Sequence, residues 1–374
     1  MRRTFLAIAT LTVFVAVFVG VGSAWQAASS GPYKVLKTVK TGGLGGFDYI
    51  YADVAGRRLY IPRGGSAPNA TPPLAPRITV FDLDTLAAVG EVPGIRANGA
   101  AVDDKSGHGF VSSKPVTMFD TKTLKVIKSI DVMGNPDGIL HDAFNQRIYI
   151  LSHQAPHVTV IDAKSGDVLG MIDLGGAPEQ AASDGKGHIY IDVSDKANVA
   201  VVDAKTMMVT AHYDLGDKGN GLAGLAMDVK NGVLFVAARN SGMPPAQPAK
   251  PMMVILSAKD GKILTTLPLA GGSDGAVFNP ATKEAFSTHG NGTLTVVKET
   301  SPTTFEVEQN LDTMAGAKTL TLDTKTNHIL TMAAEYGPVP DAPAGAPPAR
   351  GRGGFGRGRG PMLPDSFSIL VIGK

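Results

Sequence analysis

A short strand motif that recurs seven times constrains the fold of this chain more than any other feature. Each copy follows a turn and carries a large aromatic or aliphatic residue, which is typical of a strand buried in a sheet. These marker residues are Tyr60, Phe110, Tyr149, Tyr190, Phe235, Phe286 and Ile329, with successive spacings of 50, 39, 41, 45, 51 and 43 residues. A repeat of roughly 40–45 residues is typical of a β-propeller, in which each repeat forms one four-stranded blade.

The turns between strands fit the same architecture. A third strand in four of the repeats ends in an aspartate followed by a tight turn, at Asp82, Asp120, Asp162 and Asp203. An aspartate side chain can accept hydrogen bonds from the backbone of the turn that follows it. We therefore interpret these four carboxylates as structural.

The two ends of the chain predict how the ring closes. The last repeat ends after its third strand, whereas residues 33–41 form a strand that precedes the first repeat. Pairing these ends would complete the last blade and remove an exposed sheet edge. The sequence thus predicts an all-β fold with one domain over residues 33–374. It is a seven-bladed β-propeller of four-stranded antiparallel blades, closed by strand 33–41 joining the C-terminal blade.

The N-terminus has the pattern of an export signal over residues 1–24. Arg2 and Arg3 precede an uncharged run over residues 5–21, and small residues follow up to Ala24. We expect cleavage after Ala24, a periplasmic or secreted protein, and no stable membrane span afterwards. The alternative is an uncleaved anchor, because the apolar run is nearly long enough to cross a bilayer. The absence of cysteine excludes disulfides, thiolate metal ligands and a lipid-modified cysteine.

The overall charge and three long inserts bear on binding partners. Without Arg2 and Arg3 the chain has 33 basic and 33 acidic residues, which argues against general binding to nucleic acid or anionic lipid. The inserts, rich in Pro, Gly and Ala, occupy residues 62–77, 241–251 and 337–364, all between the second and third strands of a blade. They should therefore crown one face of the ring. The third is a low-complexity loop whose Arg-Gly run, 350–359, resembles RNA-binding tracts; export favours a surface loop instead.

The same face should collect the candidate functional residues, at the starts of first strands and the ends of second strands. They are Asp48, Arg63, Asn98, Asp137, His153, Glu179, Arg239, Asp274, His289, Lys318 and Glu335. The mouth of a propeller channel is a common place for a small ligand to bind. A metal site could draw on Asp48, Asp137, Glu179, Asp274, His153 and His289, with Ca²⁺ or Zn²⁺ as the ion. The alternative is a wet funnel in which these side chains pair with one another and with turn amides.

The strand sequences also resemble a known family. Residues 147–150 read Arg-Ile-Tyr-Ile and residues 158–162 read Val-Thr-Val-Ile-Asp, and similar pairs recur through most of residues 33–374. This pattern resembles the YVTN-repeat, YncE-like family of exported seven-bladed, WD40-like propellers. The asparagine that ends the family motif is replaced here by Pro62, Leu151, Asp192 and Ala237. The resemblance implies an exported propeller, and related propellers bind cofactors, metals or partner proteins.

Three functions follow as hypotheses. We favour a non-enzymatic, monomeric binding propeller that takes a periplasmic protein or a small-molecule ligand at the channel mouth and the insert-bearing rim. The alternative is a metal-dependent hydrolase or isomerase resembling the propeller lactonases, with His153 or His289 moving the proton. A third is a role as an electron-transfer partner. Because the chain has no Cys-x-x-Cys-His haem attachment site, such a role would depend on another protein that carries the redox group.

Overall fold

Seven separate four-stranded antiparallel sheets make up the protein in the computed structural model, which describes residues 30–66, 73–240, 250–339 and 360–374. In chain order the strands are Lys34–Lys40 (β1), Tyr51–Asp53 (β2), Arg58–Arg63 (β3), Arg77–Asp82 (β4), Ala88–Pro93 (β5), Ala97–Asp103 (β6), His108–Ser113 (β7), Val116–Asp120 (β8), Val126–Ile130 (β9), Pro136–Asp142 (β10), Arg147–Ser152 (β11), Val158–Asp162 (β12), Val168–Ile172 (β13) and Pro178–Ser183 (β14). The second half contains His188–Val193 (β15), Asn198–Asp203 (β16), Met208–Asp214 (β17), Leu222–Asp228 (β18), Val233–Ala238 (β19), Met252–Ser257 (β20), Ile263–Pro268 (β21), Ser273–Asn279 (β22), Glu284–His289 (β23), Thr293–Ser301 (β24), Thr304–Asp312 (β25), Leu320–Asp323 (β26), His328–Ala333 (β27) and Ser368–Gly373 (β28).

Six blades are formed by four consecutive strands each, and the seventh combines both ends of the chain. Blade 1 is β2–β5, and the blades then follow in chain order to blade 6, β22–β25. Blade 7 has the order β26-β27-β28-β1, with Lys34 opposite Gly373 and Lys40 opposite Ser368. The predicted seven-bladed ring and its closure by the N-terminal strand are therefore confirmed.

The hydrophobic core lies between neighbouring blades. All seven marker residues are buried; Tyr190 retains 5% exposure and the others none. Tyr149 and Val160 of blade 3, for example, share a cluster with Ile189 and Ala200 of blade 4. The outermost strands face solvent and do not alternate strictly between buried and exposed residues, as β9 illustrates. Each blade thus buries both faces of its inner strands against its neighbours, which explains the dense Val, Ile, Leu and aromatic content of the second and third strands.

Aspartate and asparagine side chains hold the turns on the face opposite the inserts. At the end of the first strand one carboxylate or amide oxygen accepts a backbone N–H in all seven blades, at Asp53, Asp103, Asp142, Asp184, Asp228, Asn279 and Asp323. The third-strand aspartates behave as the sequence predicts. Asp120 Oδ1, for instance, accepts the N–H groups of Lys122 and Thr123 at 3.1 and 2.7 Å. The same pairs of bonds are made by Asp82, Asp162 and Asp203.

The three inserts leave the ring on one face. In blades 3 and 6 the start of the first strand lies opposite the end of the second, with Pro136 facing Ser152 and Ser273 facing His289. The strand ends that border the inserts, Arg63, Ala238 and Ala333, lie at this same level. We call this side the insert face. The predicted export signal, 1–24, and the Arg-Gly run, 350–359, lie outside the described residues. The described residues contain one 3₁₀ turn, Gly216–Lys218, and no helix with the length and hydrophobicity of a membrane span.

Candidate functional site: the channel mouth

The first strands of the seven blades present equivalent positions to the central channel. Counting back five residues from each turn-forming Asp or Asn gives one residue per blade at the channel mouth. These are Asp48, Asn98, Asp137, Glu179, Ala223, Asp274 and Lys318. Six of the seven are polar or charged, and all six are among the residues predicted from the sequence. In the blade that supplies Ala223, Arg239 follows the end of β19 and brings a charge to the same region.

Lys318 and Arg239 connect the acids on one side of the mouth. The Nζ atom of Lys318 lies 2.8 Å from Asp48 Oδ1 and 2.5 Å from Asp274 Oδ2. Arg239 donates from Nη2 to Asp274 Oδ1 and from Nε to the Ser273 carbonyl at 2.9 Å. Each cation therefore bridges two neighbouring blades.

His153 connects the acids on the other side. Its Nε2 atom lies 3.3 Å from Asp137 Oδ2 and 3.8 Å from Glu179 Oε2. Arg239 Nη1 lies 3.9 Å from the other oxygen of Glu179, which links the two sides. Asn98 Nδ2 donates to Asp137 Oδ1 at 2.6 Å. Acids and bases thus alternate around the channel.

We call this arrangement the mouth ring, and all seven blades contribute to it. Its members, in order around the channel, are Asp48, Lys318, Asp274, Arg239, Glu179, His153, Asp137 and Asn98. A backbone hydrogen bond of 3.1 Å from Tyr49 N to Asn98 O joins blades 1 and 2, which carry the first and last members of this order. Eight of the eleven predicted rim residues therefore come together in one set of contacts.

The mouth ring perturbs the ionisation of its members. The nearby carboxylates of Asp137 and Glu179 favour the protonated imidazole and raise the pKa of His153 to about 10. Burial raises the pKa of Asp48 to about 6, although Lys318 opposes the shift. Burial works against the positive charge of Lys318, yet the carboxylates of Asp274 and Asp48 raise its pKa above the usual value. Such perturbed groups in a cleft are typical of functional sites, and also of structural ion-pair networks.

A plug of two side chains lies directly beneath the ring. At the next position of the first strands, four blades have glycine, at 99, 138, 224 and 275, while blades 1 and 4 have Tyr49 and Gln180. The Tyr49 hydroxyl lies 3.3 Å from the Glu179 carbonyl across the channel. Gln180 Oε1 accepts the N–H groups of Leu225 and Ala276 at 3.0 and 3.2 Å. We call Tyr49 and Gln180 the channel plug.

The glycines let the first strands of neighbouring blades approach closely. A Cβ atom at Gly138 would lie 2.5 Å from the Glu179 carbonyl oxygen, and one at Gly224 would lie 2.8 Å from Ala276 N. Cβ atoms at Gly99 and Gly275 would stand at ordinary contact distance from Tyr49 and Gln180. A channel cavity of about 400 Å³ is lined by Tyr49 and Gln180 themselves and by residues farther along the first strands, among them Leu225 and Phe278.

Asp192 supports the mouth ring from behind and was not among the predicted site residues. It is fully buried, and its Oδ1 accepts the N–H groups of Glu179 and Gln180 at 3.2 and 2.6 Å. Its Oδ2 has no hydrogen-bond partner among the described residues. Burial raises the pKa of Asp192 to about 7. Asp192 thus fixes the backbone that carries both a ring residue and half of the plug.

Three predicted rim residues lie apart from these contacts. Arg63 is buried, stacks on the Phe367 ring with 3.6 Å from Cζ to the centroid, and donates to the carbonyls of Gly43 and Gly45. His289 is fully buried, and its Nδ1 lies 2.9 Å from Thr293 Oγ1. Glu335 is exposed, and its backbone N–H and carbonyl make hydrogen bonds with Ser366 and Leu363. The structure thus gives Arg63 and His289 internal packing positions.

One serine has the sequence spacing of a nucleophile elbow but not its geometry. Residues 271–275 read Gly-Gly-Ser-Asp-Gly, which fits the Gly-x-Ser-x-Gly pattern. That pattern places the serine on a strained turn between a strand and a helix, with its hydroxyl exposed. Ser273 instead begins β22, is fully buried, and shares a 2.7 Å hydrogen bond with Ser287. This serine is therefore not placed to attack a substrate at the mouth.

One group of three possible metal ligands is found within the described residues. Single ligand atoms of Asp137, His153 and Glu179 all lie within 4.8 Å of one another. Of the six residues predicted from the sequence as possible metal ligands, these three come together in this way. Asp48 and Asp274 are bridged by Lys318 instead, and His289 is bonded to Thr293.

Solved structures provide the comparison with known proteins. The sequence matches no family model and no curated protein. The fold is similar to Kuenenia stuttgartiensis hydrazine synthase, with a TM-score of 0.65 and 18% identity over 78% of this chain and 94% of that one. It is also similar to the Neurospora crassa Pan2 WD40 domain, with a TM-score of 0.61 and 14% identity over 81% of this chain and 92% of that one. The chain has a WD40-like β-propeller fold. At these identities the likeness shows the fold and no particular function.

Proposed function

We propose that this chain is an exported, non-enzymatic β-propeller that binds a small polar ligand or a charged segment of a partner protein at the mouth ring. The alternating contacts of the ring, drawn from all seven blades, carry this proposal. A ligand that carries both a positive and a negative group could replace one partner in each of two existing ion pairs. No charge of the ring would then be left unpaired. The resemblance to exported YVTN-repeat propellers supports the same function, as does the general use of propellers as binding scaffolds.

Access to the ring favours binding over a purely structural role. The side chains of His153, Asp48 and Arg239 keep 36%, 34% and 25% of their exposure, although each contacts an opposite charge. The side chains of Tyr49 and Gln180 reach across the channel beneath them, and the charged groups form a polar cup at its mouth. The three inserts leave the ring on this face and would border the cup. A cup of this kind suits a ligand that enters from the insert face.

Affinity capture tests the proposal, with the purified protein and variants of it as baits. The purified protein is expected to retain a partner from periplasmic extract, or a small molecule from a polar metabolite mixture, and the double variant Arg239→Gln, Lys318→Gln is expected to lose it. The matched control is the double variant Lys34→Gln, Lys37→Gln, which removes two exposed cations from the outermost strand β1. Circular dichroism would confirm that both variants fold. Failure to retain anything, or equal retention by both double variants, would count against the proposal.

The second candidate is a metal-dependent hydrolase or isomerase at the same mouth, favoured by the grouping of Asp137, His153 and Glu179. In such an enzyme a divalent ion polarises a carbonyl or activates water, and a nearby base moves the proton. This candidate predicts turnover of lactones by the purified protein when Ca²⁺ or Zn²⁺ is added, with loss of turnover in Asp137→Asn. Absence of turnover with either ion would remove the lactonase-like alternative.

A further inference from the structure

We infer that Asp137, His153 and Glu179 bind one divalent ion of the first transition series, through one imidazole nitrogen and two carboxylate oxygens. This inference deepens the binding function proposed for the mouth ring, because it assigns an ion to one segment of that ring. Carboxylate and imidazole together are the ligand set of many zinc and related sites with open positions.

The separations of the three ligand atoms suit such an ion. His153 Nε2 lies 3.3 Å from Asp137 Oδ2 and 3.8 Å from Glu179 Oε2. Two ligands bound at about 2.1 Å to one ion stand about 3.0–3.4 Å apart in octahedral or tetrahedral geometry. The first of these separations is within this range, and the second exceeds it by a few tenths of an ångström. The ligand oxygens of Asp137 and Glu179 lie within 4.8 Å of each other. Side-chain rotations that draw the two carboxylates together would bring all three atoms onto one ion.

Neighbouring groups hold the ligands in place, as is usual around metal sites. Asn98 donates to Asp137 Oδ1 at 2.6 Å and leaves Oδ2 directed at His153. The Tyr49 hydroxyl lies 3.4 Å from the same Oδ2. Asp192 fixes the backbone N–H of Glu179, and its own Oδ2 is a buried polar atom without a partner among the described residues. Asp137 is thus held through its other carboxylate oxygen, and Glu179 through its backbone N–H.

The charge of the mouth ring is complementary to a divalent cation. The four carboxylates of the ring outnumber its two fixed cations, Arg239 and Lys318. A divalent ion bound by Asp137, His153 and Glu179 would lie within this excess of carboxylates. Buried charges in proteins are generally paired or bound to a metal. The charge count thus agrees with the geometry.

The ligand set favours a zinc-like ion over calcium. Ca²⁺ takes six to eight oxygen ligands, whereas this cluster offers one nitrogen and two carboxylates. The side chains of Asp137 and Glu179 keep 11% and 19% exposure and that of His153 keeps 36%, so the ion could enter from the insert face. Open coordination positions would then face the cup in which a ligand binds.

Isothermal titration with zinc chloride, combined with metal analysis after dialysis, tests the inference. The purified protein is expected to bind one equivalent of Zn²⁺ per chain. Asp137→Asn, His153→Gln and Glu179→Gln are each expected to weaken that binding by at least about tenfold. The matched controls His212→Gln and Glu335→Gln change an exposed histidine and an exposed acid outside the cluster, and are expected to bind as the unaltered chain does.

Two outcomes would overturn the inference: no stoichiometric Zn²⁺ binding by the unaltered chain, or unchanged affinity in all three cluster variants. Far-ultraviolet circular dichroism of each variant separates lost binding from lost folding, and three different substitutions keep the test informative if one fails to fold. Repeating the bait experiment with a chelator present distinguishes this inference from the proposed function. A partner that is still retained supports binding at the mouth ring even if no ion binds there.

Discussion

Replacing Glu284 with alanine is expected to lower the free energy of unfolding by about 2–3 kcal/mol, because it breaks a buried ionic cluster that joins both chain ends to blade 6. The Glu284 side chain is fully buried and lies 2.8 Å from Lys374 Nζ and 3.2 Å from Lys298 Nζ. It also accepts a hydrogen bond from the Tyr33 hydroxyl. Although burial opposes its charge, the hydrogen bonds from Lys374 and Tyr33 lower the pKa of Glu284.

The size of the effect follows from what the substitution leaves behind. Loss of one partner in a fully buried pair costs about 3–5 kcal/mol. The side chains of Lys374 and Lys298 retain 43% and 28% exposure, so water can solvate them and the cost is smaller. Tyr33 also packs edge-on against Phe286 at 5.2 Å between ring centroids, which gives the N-terminal strand a second attachment.

Urea unfolding followed by circular dichroism measures this change. Glu306→Ala is the matched control, because Glu306 is an exposed glutamate on β25, the outermost strand of the same blade. It should change the free energy of unfolding by less than about 0.5 kcal/mol. Equal unfolding midpoints for Glu284→Ala and Glu306→Ala would show that the cluster does not stabilise the closed ring.

The fold could be predicted from the sequence because each blade repeats the same physical requirement. A strand buried between two neighbouring blades needs large apolar residues, so Tyr60, Phe110 and the other markers recur at the blade period. The closure was also accessible, because the last repeat has three strands and one unassigned strand remains at the other end. Pairing the unassigned strand with the incomplete blade is the simplest way to give every blade four strands.

The site was predictable only in part, because adjacent residues at the end of a strand point to opposite sides. His153 and Arg239 lie one residue beyond Ser152 and Ala238, which face the starts of β10 and β18. His289 occupies the level of Ser152 itself, opposite Ser273. One residue of register thus separates a side chain at the mouth from one buried in the blade.

The channel plug required an alignment of all seven first strands. Tyr49 and Gln180 are unremarkable when each is considered alone. They become visible when the equivalent positions in other blades are seen to be glycine, as at Gly99 and Gly275. Asp192 could have been found from its place at the end of a buried second strand, where a carboxylate needs a backbone partner.

The buried imidazole of His289 is expected to make the protein less stable as the pH falls below about 6.5. Burial lowers the pKa of His289 to about 3. In the unfolded chain the imidazole gains a proton near pH 6.5, whereas in the folded protein it stays neutral until about pH 3. Between these values the unfolded state binds more protons, so stability rises with pH and is lost on acidification.

The expected loss attributable to His289 is about 2–3 kcal/mol between pH 6.5 and pH 4.5, since each pH unit in this window contributes about 1.4 kcal/mol. Free energies of unfolding from urea titrations at several pH values would measure it. His289→Gln keeps a polar group near Thr293 but cannot titrate. Between pH 6.5 and pH 4.5 its free energy of unfolding should therefore fall by about 2–3 kcal/mol less than that of the unaltered chain. His212→Gln, at an exposed position, should follow the unaltered chain. Parallel pH profiles for His289→Gln and His212→Gln would mean that the imidazole of His289 is hydrated and protonated in the folded blade.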